Sequence, residues 1–290
     1  MASQVPTDPA VLRTLQLVET TILAEFDRVC RELDIPYAVY GGTAIGAVRH
    51  KGFIPWDDDV DVCMTRADYE RFLAEAPAVL GEDFEIHNSR THADFPNMFS
   101  NLILKGTLFI PEFIKNSPYR MPIGLDIFPL DNVPRDKKAY QRQSRATWFW
   151  GRMLYLQGTP APYLEVGGLL RKVILSATFV IYWVLRLARV KPRTLQRLWE
   201  RAARRYEHAE ADLMADFTDR TPLAWAVTRD DLYPTVDVPF ENITVKLPRE
   251  HDKILTRGYG DYMQLPPEDK RKTHLPIIID FGKFGAEESR

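Results

Sequence analysis

The stretch YGGTAIGAVRHKGFIPWDDDVDVCM, Tyr40–Met64, decides how this chain is read. A glycine pair, Gly41-Gly42, opens it, the basic cluster Arg49-His50-Lys51 follows, and three consecutive aspartates lead into the alternation DVDVCM. Period-two alternation puts Val60, Val62 and Met64 on one face of a strand and Asp59, Asp61 and Cys63 on the other. Carboxylates gathered at the start of an apolar strand repel one another and resist burial unless a cation neutralises them. Asp59 and Asp61 share a face, and an all-oxygen donor set suits Mg²⁺ or Mn²⁺, with Asp57 joining from the loop. A solvated acidic turn beside Pro55 and Trp56 is the competing reading. A calcium loop fails on spacing: counted from Asp57, Val62 stands where glycine is needed and Asp68 where glutamate is needed.

Working outward, AVLRTLQLVETTILAEFDRVCRELDI sets Leu15, Val18, Ile22, Phe26, Val29 and Leu33 at helical spacing, and Asp34-Ile35-Pro36 ends that helix. YAVY reads as a short buried strand, TAIGAVRH as a short helix, and RADYERFLAEAPAVL as a helix capped by Thr65. Strands are predicted at FEIHN, FSNLILKG, TLFI and IGLDIFPLD, with a turn at Gly106 and Pro129 ending the last strand. Long helical segments are predicted from about Lys137 through Phe217. Beyond them LAWAVT and ENITVKLP read as strands, REHDKILTRGYG as a helix closed by glycine, and the proline-rich tail as irregular. The fold class is α+β. We expect a catalytic core over 1–136, a helical insertion over 137–217, and a segment over 218–290 that completes the core and its cleft.

Gly41-Gly42-Thr43 lies between a strand and a helix, where exposed backbone N–H groups can receive phosphate oxygens. It fits neither a P-loop nor G-x-G-x-x-G. Alone the pair says little; followed by two carboxylates on the next strand, it reads as a phosphate cradle beside metal ligands. GLDIFPLD offers a third acid, Asp126, whose neighbours Leu125 and Ile127 point to the opposite face. A strand-end aspartate satisfied by local hydrogen bonds is the alternative for Asp126.

Taken together, GGTAIGAVRHKGFIPWDDDVDVCM, GLDIFPLD, FENITVKLP and YGDYMQLPPEDKRKTH resemble, in the same order, the sequence blocks of the LicD family, to which fukutin-type proteins are related. The resemblance implies a nucleotidyltransferase-like fold, a mixed sheet flanked by helices. It implies transfer of a phospho-alcohol, typically phosphocholine, from a CDP-activated donor to a hydroxyl of a cell-surface glycan or its lipid-linked precursor. By that resemblance Asp59 and Asp61 are the metal pair, Asp57 an auxiliary and Asp126 the third acid. There are two departures. Family members often carry a lysine near Asn101, a role left here to Lys105, and a second histidine where Thr273 precedes His274.

Phosphoryl transfer needs charge relief and alignment more than covalent help, so the acids and their metal would bridge the donor phosphates. Asp126 would ligate metal or take the alcohol proton. Arg49, His50 and Lys51 either hold phosphate oxygens or pair with the aspartates. Trp56 either faces a cationic head such as choline or packs in the core. His274 and the run Lys270–Lys272 either close over the donor or are solvated.

In the helical middle, the uninterrupted apolar run Val173–Leu185 is shorter than the ~20 residues of a membrane span. Arg171 and Lys172 precede it, and Arg186, Arg189, Lys191, Arg193 and Arg197 follow. A core helix, an interfacial helix docking 166–205 on anionic lipid, and a true span are the three readings. Docking would place the chain in the cytoplasm, peripheral on the inner face of the membrane, where the resemblance implies lipid-carried acceptors.

Composition agrees with an ordinary globular chain: 290 residues, 45% hydrophobic and 27% charged. A net charge of -2 argues against a dedicated nucleic-acid binder. Cys30 and Cys63 fit no metal pattern and read as reduced core thiols; MASQVPTDPAVL lacks the pattern of a secretory signal. Two further functions compete with phospho-alcohol transfer: transfer of NMP from an NTP to a small acceptor by the same acids, and a non-catalytic membrane-docked scaffold.

Overall fold

The computed structural model describes residues 8–285 apart from 112, 113, 116, 161, 163–166, 272, 274 and 275. Helix α1 (Pro9–Glu32) starts at Asp8, whose side chain accepts the Ala10 N–H at 2.9 Å, and proline fills its first position. The strands of the main sheet are β1 (Ala38–Val39), β2 (Asp61–Thr65), β3 (Phe84–His87), β4 (Ser100–Leu104), β6 (Gly124–Val133) and β7 (Leu213–Ala215). They run in the order β1-β2-β6-β4-β3, with β7 extending the sheet beside the second half of β6. Only β2 and β6 are parallel among these pairs; the sheet is mixed and the chain is α+β, as expected.

One sheet face is apolar. Val62, Ile127, Leu125, Leu102, Leu104 and Ile86 pack there with the α1 stripe of Leu15, Val18, Ile22, Phe26 and Val29. Helix α3 (Arg66–Glu75), capped by Thr65 as predicted, adds Tyr69 and Phe72 to the same core. The opposite face carries the polar row described below. Helix α2 (Gly41–His50) joins β1 to the loop before β2.

Helices α4 (Lys137–Gly158), α5 (Gly168–Leu187) and α6 (Pro192–Ala203) lie between β6 and β7 in the chain. Trp199 of α6 is buried with Val133, Ala215 and Phe217, so α6 is seated on the far half of β6. The buried Arg66 guanidinium grips Asp131 with two hydrogen bonds of 2.8 and 2.7 Å and ties α3 to that strand. Loss of either partner would leave a buried charge, at a cost of about 3–5 kcal/mol. Both cysteines are buried and unbridged.

The chain ends in α7 (Arg229–Leu232), the hairpin β8 (Val236–Phe240) and β9 (Ile243–Leu247), α8 (His251–Tyr259) and β10 (Ile278–Asp280). Gly260 closes α8 with φ +72°, as the sequence indicates.

Several expectations need correction. Pro129 does not end β6; it sits mid-strand opposite Met64 of β2. The Asp126 N–H points to β2, so by alternation the nitrogen of Pro129 faces the other edge. There β4 pairs only as far as Ile127 and β7 begins at Asp131, so no ladder bond is lost to proline. The helical stretch stops short of Phe217, because Leu213–Ala215 is β7. LAWAVT is a 3-10 turn and an isolated bridge from Val227 to Met214, not a strand. Within the tail, β10 pairs antiparallel with β5 (Leu108–Ile110). The core-helix reading of α5 is overturned: none of its residues is buried, and Leu169 and Leu187 are each 78% exposed.

Candidate active site

Strand register builds the site. Asp61 of β2 pairs with Asp126 of β6, Asp126 with Asn101 of β4, and Asn101 with His87 of β3. Paired residues project from the same face, so these side chains form a row across four strands. Asn101 donates its Nδ2–H to the Asp126 carboxylate. The Asp61 N–H is bound by Thr43 Oγ1 at 2.9 Å, which fixes the start of β2 against α2.

The glycine pair has a steric purpose. It forms the first turn of α2, with no side-chain cap from Tyr40, and Gly41 has φ +53°. A Cβ on Gly41 would lie 3.2 Å from Asp61 Oδ2, and one on Gly42 would lie 2.7 Å from Asp57 Oδ2. Two carboxylates therefore sit against the positive end of a helix whose first N–H groups have no intrahelical partners. Any larger residue would displace them.

In front of this row lies a cavity of about 470 Å³. Glu19, Asp58, Asp59 and Asp126 line its acidic end, and Phe99, Phe109 and Met121 line apolar walls. Burial raises the Asp61 carboxyl well above the usual range, and Asp59, Asp126, Asp57 and Asp216 push it further. Asp126 is raised in the same way, by burial and then Asp59, against the opposing Asn101 hydrogen bond. Such a group of acids has the oxygen donors and excess negative charge that a hard divalent cation neutralises, so the residues present fit Mg²⁺ or Mn²⁺.

Four contributors escaped the sequence reading. Glu19 projects from α1 and is only 2% exposed; its Oε2 has no hydrogen-bond partner among the described residues. Burial, then Asp59 and Asp58, raise its carboxyl well above the ordinary value. Asp58 is buried at 2% exposure, although the reading favoured its neighbours. Asp216, just after β7, is pushed up to about 7 by burial despite hydrogen bonds from Thr218. Tyr259 of α8 brings its hydroxyl to the glycine pair, where a Cβ on Gly41 would lie 3.5 Å away.

Other expected residues fall elsewhere. Arg49, His50 and Lys51 end α2, about 13 Å along the helix from Gly41. There Arg49 donates to the Tyr262 carbonyl at 2.6 Å and to His50 Nε2 at 2.9 Å. Burial lowers the Arg49 pKa, with Asp57 acting in the opposite direction, and none of the three lines the cavity. Lys51 adopts the left-handed conformation that closes the helix. Trp56 packs against the main core, and Arg271 covers its ring at 4.7 Å from the centroid. Its indole is thus engaged by a protein cation. Lys105 is exposed beyond the end of β4, about 13 Å of strand from Asn101. His274 lies outside the described residues.

Residues 34–100 match the family model described as LicD/FKTN/FKRP, nucleotidyltransferase domain. This segment is thus similar to the nucleotidyltransferase domain of that family. Across 276 residues it is 27% identical to the lipopolysaccharide cholinephosphotransferase LicD of Haemophilus influenzae. That alignment covers 91% of this chain and 95% of the relative, so the likeness extends well beyond the matched domain. The domain match takes in the glycine pair, all the clustered aspartates before and in β2, and Ser100 of β4; Asp126 and Asp216 come from the chain beyond it.

Proposed function

We propose that this LicD-type protein transfers phosphocholine from CDP-choline to a hydroxyl of a cell-surface glycan or its lipid-linked precursor. One observation carries the reading: Asp126, the register partner of Asp61, lines with Glu19, Asp58 and Asp59 a cavity that Phe99, Phe109 and Met121 also line. The relative's identity as a lipopolysaccharide cholinephosphotransferase supports the choice of phosphocholine and of a glycan acceptor.

Asp59, Asp61 and Asp126, with Asp57 beside them, would hold one or two Mg²⁺. The bound ion supplies charge neutralisation for the pyrophosphate and for the departing CMP. Asp126, oriented by Asn101, accepts the proton of the acceptor hydroxyl. That oxygen then bonds to the phosphorus bearing choline, and the bridging P–O bond breaks, its electron pair leaving with CMP. The N–H groups opening α2 orient phosphate oxygens, and the glycine pair leaves room beside them for the Asp61 and Asp57 carboxylates. Phe99 and Phe109 offer ring faces, and Glu19 a counter-charge, to the trimethylammonium head.

The protein works, on this reading, at the cytoplasmic face of a membrane, docked through α5. At 20 residues α5 is long and apolar enough to cross a bilayer. Its contacts argue for lying on the surface instead. Helix α4 packs along both α5 and α6, so the helices on either side of α5 in sequence stay together, and Trp148 and Phe149 of α4 are exposed as well. Basic residues flank the apolar stretch, which suits anionic headgroups.

The test is product analysis with Mg²⁺ and a glycan acceptor. CDP-choline should yield CMP and phosphocholine-modified glycan, with CDP-glycerol and CDP-ribitol turned over more slowly. Pyrophosphate release from CTP with NMP on the acceptor would replace the proposal with nucleotidyl transfer. No turnover of any donor would leave the scaffold reading.

A further inference from the structure

The polar row does not stop at Asn101. His87 lies next in register, two strands and about 10 Å from Asp126. Around it is a cluster that phosphocholine transfer does not use. His87 and Glu85 project from the same face of β3, and the loop after β3 brings back His92. One ligand atom from each of Glu85, His87 and His92 lies within 4.8 Å of the others. We propose that these three residues form a second metal site, for a borderline transition ion such as Zn²⁺, separate from the magnesium acids.

The orientation of the rings supports this assignment. The His87 and His92 rings stack with centroids 3.8 Å apart and planes inclined by 35°. His87 Nδ1 is engaged by the buried Tyr119 hydroxyl at 2.7 Å, and His92 Nδ1 by Thr91 Oγ1 at 3.0 Å. Each ring is therefore fixed by a hydroxyl at Nδ1, which leaves Nε2 as the ligating atom. That is the outer-shell arrangement that orients histidine ligands in metal sites. The His87 Nε2–Glu85 Oε1 separation is 3.6 Å, too long for a hydrogen bond. It is close to the roughly 3.3 Å between neighbouring ligands of a tetrahedral zinc ion.

A simple ion pair between His87 and Glu85 explains the cluster less well. His87 is buried and packed between the His92 and Tyr119 rings rather than solvated beside Glu85. Two imidazoles and one carboxylate, with a fourth position open to water, form a donor set suited to zinc rather than magnesium. Glu85 is half-exposed, so an ion can enter from solvent.

The ion would fasten an edge strand to the loop over it. That loop continues to Asn97, which lines the active-site cavity and donates to Asn101 at 3.4 Å. Gln196 of α6 already holds the same loop through the carbonyls of Phe95 and Asn97. A metal at His87 and His92 would anchor its other end.

The experiment is a Zn²⁺ titration of chelator-stripped full-length protein against a chromophoric competitor, with Co²⁺ as a spectroscopic substitute. Wild type should bind one Zn²⁺ at this site, and Co²⁺ should show the visible bands of a tetrahedral complex. His92→Ala and Glu85→Gln should weaken zinc by about tenfold or more. Tyr119→Phe should weaken it by about 10–100-fold through loss of ring orientation. Asp61→Asn should leave zinc affinity unchanged while weakening the response to Mg²⁺. Because His87 is buried, its replacement is not relied on. Absence of stoichiometric zinc in the wild type would overturn the site. Unchanged zinc affinity in both His92→Ala and Glu85→Gln, or zinc lost with Asp61→Asn instead, would do so too.

Discussion

Asp216 is the most quantifiable acid of the site. It is 3% exposed, its carboxylate accepts from the Thr218 N–H at 2.7 Å and hydroxyl at 2.8 Å, and burial still pushes it up to about 7. An unfolded chain releases this proton near the ordinary value of 3.8. Between those values the native state holds a proton that the unfolded state has lost, so stability falls as pH rises. The stabilising difference is present below about pH 4 and is gone above about pH 7. The full shift is worth about 4 kcal/mol, with roughly 3 kcal/mol of it lying between pH 5 and pH 9. Asp216→Asn keeps the shape of the neutral acid and cannot ionise. Its stability relative to wild type should therefore rise by about 3 kcal/mol from pH 5 to pH 9. Urea unfolding of both proteins, without metal, at pH 5, 7 and 9 measures this difference directly. A pH-independent difference, or one that shrinks as pH rises, would refute the reasoning. The carboxylate would then be ionised and paired in solution, and its push on Asp61 would be present throughout.

The remaining predictions concern the clustered acids, the glycine pair and the exposed helix. Asp61→Asn should abolish turnover yet raise metal-free melting temperature at neutral pH, because the wild-type carboxyl is raised by burial and by Asp59 and Asp126; a melting temperature well below wild type would contradict the repulsion. Gly42→Ala should gain up to about 1 kcal/mol of helix propensity and lose activity, since its Cβ would displace the Asp57 carboxylate from 2.7 Å; full activity in this variant would remove Asp57 and the first turn of α2 from the machinery. Sedimentation with vesicles should show salt-sensitive binding to anionic but not neutral lipid, weakened by reversing Arg186 and Arg189; equal binding to both vesicle types would dismiss the electrostatic component.

Much of the site was legible because β strands translate spacing directly into direction. GLDIFPLD had to turn Asp126 away from Leu125 and Ile127, and Asp61 opens β2 on the matching face; Asp59, expected on the same strand face, lies in the loop before β2 and is exposed. The parallel pairing of β2 with β6 then makes Asp61 and Asp126 neighbours. Spacing could not supply that pairing, since it depends on which strands meet. The Thr65 cap, the Gly260 stop and the apolar stripe of α1 were local signals and behaved locally. Pro129 misled because the rule against mid-strand proline concerns its missing N–H, and that nitrogen faces a gap between two partial neighbours. Leu213–Ala215 was hidden in a helical grammar: three residues are too few to display a period. Missing it also hid Asp216.

Glu19 carries a different lesson about reading helices. It lies four residues after Leu15 and three before Ile22, in phase with the apolar stripe rather than on the wet side of α1. A carboxylate in that phase is either a costly defect or a group aimed at something. In this fold α1 borders the cavity, so Glu19 reaches the acidic end while its neighbours Leu15 and Ile22 are fully buried. Its raised pKa and unpartnered Oε2 among the described residues then follow from one cause. The carboxyl is held out of water, among like charges, at a place where a cationic ligand would lower its energy. Helical phase thus extends the site beyond the aspartate run to the N-terminal helix, which no short motif marks.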